Sequence, residues 1–168
     1  MHISLDQLKA YLRHEFQLEV VSQEQLKTLL QHMRDIQFLQ ALPPGPLSTT
    51  ISYLRHSKAQ LRQDLLVTHM LKGKRDGFFV EFGATNGVDW SNTHLLEHHF
   101  GWTGILAEPA KTWHQALQNN RSCIIETDCV WHTTGEVLSF RETAEAYLST
   151  IDAFCNKDKH KNLRQNGS

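Results

Sequence analysis

The stretch Gly77-Phe-Phe-Val-Glu-Phe-Gly-Ala-Thr-Asn-Gly-Val88 constrains the chain more than any other. Phe78 to Phe82 is a short apolar run between two glycines, which predicts a buried strand. Gly83 and Gly87 then allow a tight turn and a close approach of backbone to ligand. The polar residues Asp89 to Thr93 open a helix. Strand, glycine loop and helix in succession predict a site for a nucleotide-like cofactor. Glu81, at the strand's end, has no use at a bare phosphate site but suits a cationic, hydroxyl-rich ligand.

The flanks fit this centre. Residues 1 to about 72 read as helical. Leu5, Leu8, Leu12 and Phe16 share one face, and Ser22 with Gln25 forms a capping box ahead of Leu26, Leu29, Leu30 and Met33. Leu42-Pro-Pro-Gly-Pro46 breaks the pattern as a linker. A helix over about 57–71 is expected to turn Leu61, Leu65 and Leu66 to the sheet, with Gln60, Gln63 and Asp64 near the cofactor loop. Beyond the loop come a helix at 92–100, a strand at 103–107 and a helix at 111–119. A strand at 123–125 and one more at 136–140 follow. Alternation of this kind predicts parallel strands joined by helical crossovers. The fold class is therefore α/β, a Rossmann-like sheet of three to four strands after a helical arm. The expected divisions are an arm and linker at 1–46, a sheet domain at 47–151 and a poorly ordered polar tail at 152–168.

Net charge is −1 and pI about 6.8 over 168 residues, which argues against a nucleic-acid or membrane partner. No apolar run reaches the length of a membrane span, and the N-terminus lacks a signal-peptide pattern. A cytoplasmic location is expected, with Cys123, Cys129 and Cys155 reduced and the first two filling the core. Asn120-Arg-Ser122 and Asn166-Gly-Ser168 then match the glycosylation pattern by chance. Among eleven histidines, His94 and His98 have chelating spacing, with His99 beside them. No third ligand and no His-Glu-x-x-His pattern accompany them, so no metal is expected.

Ligands of open α/β sheets bind beyond the carboxyl ends of the strands. Glu81, Glu108 and Asp128 fall at three successive strand ends. Glu81 and Glu108 are 27 residues apart, the length of one strand-helix-strand unit. Glu108 could accept from both ribose hydroxyls, Asp128 could meet an adenine amino group, and Glu81 could sit near a charged amine. The three-glycine dinucleotide fingerprint and the P-loop pattern are both absent. S-adenosylmethionine fits best, since it carries ribose, adenine, a sulfonium and an amino acid but no phosphate.

Gln60-Leu-Arg-Gln-Asp-Leu65, Phe79-Val-Glu-Phe-Gly-Ala-Thr-Asn-Gly87, Ser91-Asn-Thr93, Phe100-Gly-Trp-Thr-Gly-Ile-Leu-Ala-Glu-Pro109 and Leu148-Ser-Thr-Ile151 together resemble the FkbM-type methyltransferases. The resemblance covers about residues 60–151. It implies S-adenosylmethionine as methyl donor and a hydroxyl acceptor on a sugar or small metabolite. By motif, Glu81, Gly83, Asn86 and Gly87 would line the donor site and Glu108 would hold the ribose. Asp128 carries over on a looser match, and Thr85 and Arg62 depart from the commonest family residues. Family members continue into further strands, so this chain reads as a fragment whose first strand has a bare edge: a partner, a second copy or the arm covers it, or the domain is marginal. Asp89, His94 and His132 are possible bases, and none is singled out. The alternative is a non-catalytic helical interaction module joined to a degenerate Rossmann-like half. A nicotinamide oxidoreductase ranks third.

Overall fold

Two Ser-x-x-Gln sequences start the first two helices. In a computed structural model, which describes residues 4–157 and residue 162, Ser4 caps α1 (Leu5–Phe16) and Ser22 caps α2 (Gln23–Ala41). Each serine hydroxyl accepts from the glutamine N–H three residues on, at 3.2 and 3.1 Å. Each glutamine side chain accepts from the serine N–H at 2.9 Å. A good N-cap is worth about 1 kcal/mol. The chain divides into two units, residues 1–43 and 44–168, with the break inside the proline run. In the first unit α1 buries no residue. Leu8, Leu26, Leu29, Leu30 and Met33 are all exposed.

The second unit opens with α3 (Leu47–Tyr53), inside the region read as helical but not delimited there, followed by a 3-10 turn at Leu54–His56. The expected helix over 57–71 is shorter, α4 (Gln63–Met70), and presents a different face. Leu65 is fully buried as expected, but Leu61, Leu66 and Met70 are exposed while Asp64, Thr68 and His69 are buried. Polar pairing accounts for the difference. Ser57 Oγ donates to Asp64 Oδ1 at 2.6 Å, and Thr50 Oγ1 and His69 Nδ1 are 2.9 Å apart. These bonds satisfy groups that burial would otherwise penalise.

The sheet has three parallel strands in the order β1 (Phe78–Phe82), β2 (Thr103–Ala107), β3 (Ile124–Glu126). Two helices, α5 (His94–Phe100) and α6 (Lys111–Asn120), connect them. The register pairs Phe79 with Gly104 and Glu81 with Leu106. Gly104 is required there, because a Cβ would fall 2.2 Å from Phe79 O. Leu65, Leu95, Leu106 and Leu117 are fully buried, each worth about 1.5–3 kcal/mol of transfer free energy. Along β1 burial alternates: Phe79 and Glu81 face inward, whereas Phe78, Val80 and Phe82 are each more than half exposed. Among the described residues β1 lies at an edge of the sheet, as the bare-edge expectation had it.

The strand expected at 136–140 is reduced to β4 (Phe140–Arg141). It pairs antiparallel with β5 (Thr150–Ile151) in a separate two-stranded sheet and does not extend the parallel one. Gly135 ends the preceding turn at positive φ, and Glu136 and Val137 stay exposed, so nothing draws them into the main ladder. Of the polar tail, Asp152–Phe154 forms a 3-10 turn and Cys155 is buried. Residues 158–161 and 163–168, including the Asn166 triplet, lie outside the described residues. Cys123 and Cys129 are half-buried, and burial pushes both thiols up, Cys123 to about 11.

Candidate functional site

The site is built where β1 and β2 end. Gly83, at φ +68°, turns the chain off β1 while its N–H still bonds Ala107 O at 2.8 Å. A Cβ on Gly83 would meet nothing within 4 Å, so open space lies above this position. Thr85 follows at φ 48°, a conformation that costs a β-branched residue energy and marks a constrained loop. Asn86 holds the next turn. Its Oδ1 accepts from Val88 N and Asp89 N at 2.9 Å each, and its Nδ2 donates to Asp89 Oδ2 at 2.8 Å. Gly87 serves packing: a Cβ there would lie 2.6 Å from Arg121 Cγ and 2.7 Å from Leu117 Cδ1.

The two acids at the strand ends tie this loop down. Glu108, 4% exposed, accepts from Thr85 N through Oε2 and from Ala110 N through Oε1, both at 2.8 Å. That uses about two of a carboxylate's four acceptor positions. Glu81 accepts from Ser91 Oγ at 2.9 Å, Thr93 Oγ1 at 2.5 Å and Asn92 N at 2.8 Å. About one acceptor position of Glu81 is left for a ligand. Its main role in the structure is to fix the segment entering α5.

Behind the loop stands Arg121, which sequence reading passed over as the middle of a chance triplet. Its side chain is fully buried and pairs with Glu97 at 2.7 Å. It also donates to Gly87 O at 2.9 Å, Ser91 Oγ at 3.1 Å and Thr93 Oγ1 at 3.0 Å. Burial pushes the Glu97 carboxyl up. The Ser122 N–H and hydroxyl together with Arg121 outweigh that effect and hold it at about 2. Asn120 Nδ2 donates to Asn86 O at 2.8 Å and Ser122 Oγ to Glu97 Oε1 at 2.8 Å. The Asn120-Arg-Ser122 triplet is therefore used in positioning the loop.

Two cavities meet over Gly83. The first, about 570 Å³, is lined by Glu108, Trp113, Trp131 and Phe140. The second, about 510 Å³, is lined by Gln60, Glu81, Asp89 and Asn92. Phe82, Gly83, Thr85 and Tyr147 border both. The first compartment is thus mainly apolar, with several aromatic walls, and the second is more polar. Gln60 reaches the second because Ala59 bridges to Trp90, so the turn before α4 does meet the loop.

Of the residues expected at the site, Glu81 and Gly83 line the second cavity, and Gly83 and Glu108 the first. Asn86 lines a smaller neighbouring cavity. Asp128 is exposed and lines a cavity of about 650 Å³ with Thr127 and Glu136, which adjoins the first cavity along Pro109, Cys129, Val130, Trp131 and Phe140 but is lined by neither Glu81 nor Glu108. Asp89 and His132 line the second and first cavities respectively. His94 stacks on His98 with ring centroids 4.2 Å apart, and its buried Nδ1 has no hydrogen-bond partner. Burial, followed by His98 and Arg121, lowers its pKa to about 4. Among the described residues no three His, Cys, Asp or Glu side chains converge as a metal site, and no helix is long and apolar enough to cross a membrane. Trp90 and Tyr147, which border the cavities, were also missed. Their signal was two large aromatics in otherwise polar segments. Comparison of the chain with protein-family models, curated proteins and solved structures returns no match.

Proposed function

We propose that this loop binds S-adenosylmethionine and that the chain carries the donor site of a methyltransferase acting on a hydroxyl of a sugar or small metabolite. The observation that carries the reading is Glu108, a buried acid at the end of β2 on the wall of a 570 Å³ cavity that opens over Gly83. Acids at this position suit ribose hydroxyls, and Glu108 keeps about two acceptor positions after its bonds to Thr85 and Ala110. The aromatic walls Trp113 and Trp131 suit a purine, and the polar compartment at Gln60, Asp89 and Asn92 suits an amino acid. Two adjoining compartments of unlike polarity match a ligand with an adenosine at one end and an amino acid at the other.

The donor supplies a methyl group on a sulfonium. The acceptor oxygen bonds the methyl carbon, the carbon–sulfur bond breaks with its electron pair going to sulfur, and the hydroxyl proton leaves to a base or water. The chain's part is to orient and to exclude water. Glu81 holds Ser91, Asn92 and Thr93, and Glu108 holds Thr85, so the loop is fixed before a ligand enters. Asp89 lines the polar compartment, and His94 does not. Calorimetric titration with S-adenosylmethionine and with NAD tests the reading. Binding of the first alone is expected, and binding of neither by folded protein would contradict it.

A second reading rests on the exposed apolar side chains of α1 and α2, including Leu8, Leu26, Leu29 and Met33. Large exposed apolar stripes favour a partner helix. In that reading the arm is an interaction or self-association module. Sedimentation that stays monomeric at high protein concentration, with no change on Leu29→Lys, would rule out self-association.

A further inference from the structure

Beside the two large cavities lies a smaller one of about 260 Å³, lined by Thr85, Asn86, Asp89, Trp90, Trp113 and Tyr147. Three of its six walls are aromatic, and one is a carboxylate. Trp90 and Tyr147 meet edge to face, with centroids 5.9 Å apart and planes at 82°, so they form two perpendicular walls of one corner. Neither is a core residue: they are 52% and 51% exposed. Trp90 is moreover held at φ 61°, left-handed backbone that a bulky residue adopts only when its surroundings impose it. Trp90 lies between the Asn86 turn, which holds Val88 N and Asp89 N, and the backbone bridge to Ala59. Trp113, the third ring, has a buried Nε1 without a hydrogen-bond partner, so no polar bond explains where its indole sits. Perpendicular electron-rich rings around a small space, with an acid at the rim, attract a cation whose charge is spread over methyl groups. A neutral ligand of the same shape gains the apolar contact but not the electrostatic part.

We propose that Trp90, Trp113 and Tyr147, with Asp89, form an aromatic cage for a methylated onium cation. The cage does not depend on the methyl-donor reading. That reading offers one source of the cation, the sulfonium of S-adenosylmethionine, and a quaternary ammonium compound is the other. Asp89 supplies the counter-charge while its Oδ2 stays anchored by Asn86 Nδ2 at 2.8 Å.

The test is titration of the full chain with tetramethylammonium, choline and 3,3-dimethylbutan-1-ol, the neutral counterpart of choline, followed by tryptophan fluorescence and NMR. The two cations are expected to bind, and the alcohol to bind about tenfold more weakly. Tyr147→Leu, which leaves the strained backbone at Trp90 untouched, should weaken the cations about tenfold and the alcohol little. S-adenosylmethionine and its demethylated product are titrated alongside. A preference for the sulfonium that Tyr147→Leu removes identifies the donor as the source. Choline binding without competition from S-adenosylmethionine identifies a separate ammonium ligand. Choline binding with no S-adenosylmethionine binding at all supports the cage and counts against the methyl-donor reading. Equal binding of choline and the neutral alcohol, no binding of either cation by folded protein, or affinities unchanged in Tyr147→Leu would overturn the proposal.

Discussion

The Nε of Arg121 donates to Glu97 Oε2 at 2.7 Å, and the Arg121 side chain has no exposed surface. This pair joins the end of α6 to α5, and from it bonds run through Ser91 and Thr93 to Glu81 at the end of β1. Removing one member of a buried pair leaves the other charge uncompensated. Arg121→Met should therefore destabilise the second unit by about 3–5 kcal/mol. Arg121→Met with Glu97→Gln should cost less than the sum of the single changes, because the stranded charge is gone. Urea denaturation of the four proteins checks both statements, and strictly additive losses would show that the pair is not coupled.

Gly83 and Gly87 look alike in sequence but differ in what surrounds them. Both have positive φ, so alanine costs about 1–2 kcal/mol at either. Gly87→Ala also drives a methyl into Arg121 and Leu117, which should add about 1–3 kcal/mol. Gly83→Ala meets open space. Thermal melts should rank Gly87→Ala well below Gly83→Ala, whereas donor affinity should suffer from Gly83→Ala in protein that remains folded.

His94 sets a pH dependence. Burial, then His98 and Arg121, hold its pKa at about 4, against 6.5 for a free histidine. The folded state therefore resists protonation that the unfolded chain accepts. The contribution is fully present above pH 6.5 and is lost as pH falls from 6.5 toward 4. Denaturation midpoints should drop across that window, and His94→Gln should flatten the drop. Glu97, held at about 2 against an ordinary 4.5, adds a further loss only below pH 4.5. A midpoint that is constant from pH 7 to 5 in the parent chain would contradict the His94 assignment.

The strand-helix alternation from Phe78 to Glu126 was legible because apolar runs, glycines and a proline punctuate it. The cap of α2 was legible because Ser22 precedes Gln25 by three residues, whereas the same pattern at Ser4 and Gln7 went unread. The faces of α3 and α4 were not. Their buried positions include Thr50, Asp64, Thr68 and His69, and a hydrophobic pattern cannot register polar groups that are buried in pairs. Glu81, Gly83 and Glu108 were legible as candidates from their places at strand ends. Gly87, expected to line the donor site, packs against α6, and Asp128 lines a cavity that adjoins the one bordered by Glu108. Arg121 was invisible for a related reason. A lone arginine between Asn120 and Ser122 resembles a solvated residue, and its five partners lie 24 to 42 residues away in sequence and meet it only in the folded chain.

The most direct test of the account is equilibrium binding of S-adenosylmethionine to the parent chain and to Glu108→Ala, measured by calorimetry on protein whose folding is verified by circular dichroism. The account predicts one site per chain in the parent and a loss of about tenfold or more in the variant, since charged-group hydrogen bonds are worth about 1.5–3 kcal/mol. Equal affinity in the two proteins, or no binding by the folded parent, would contradict it.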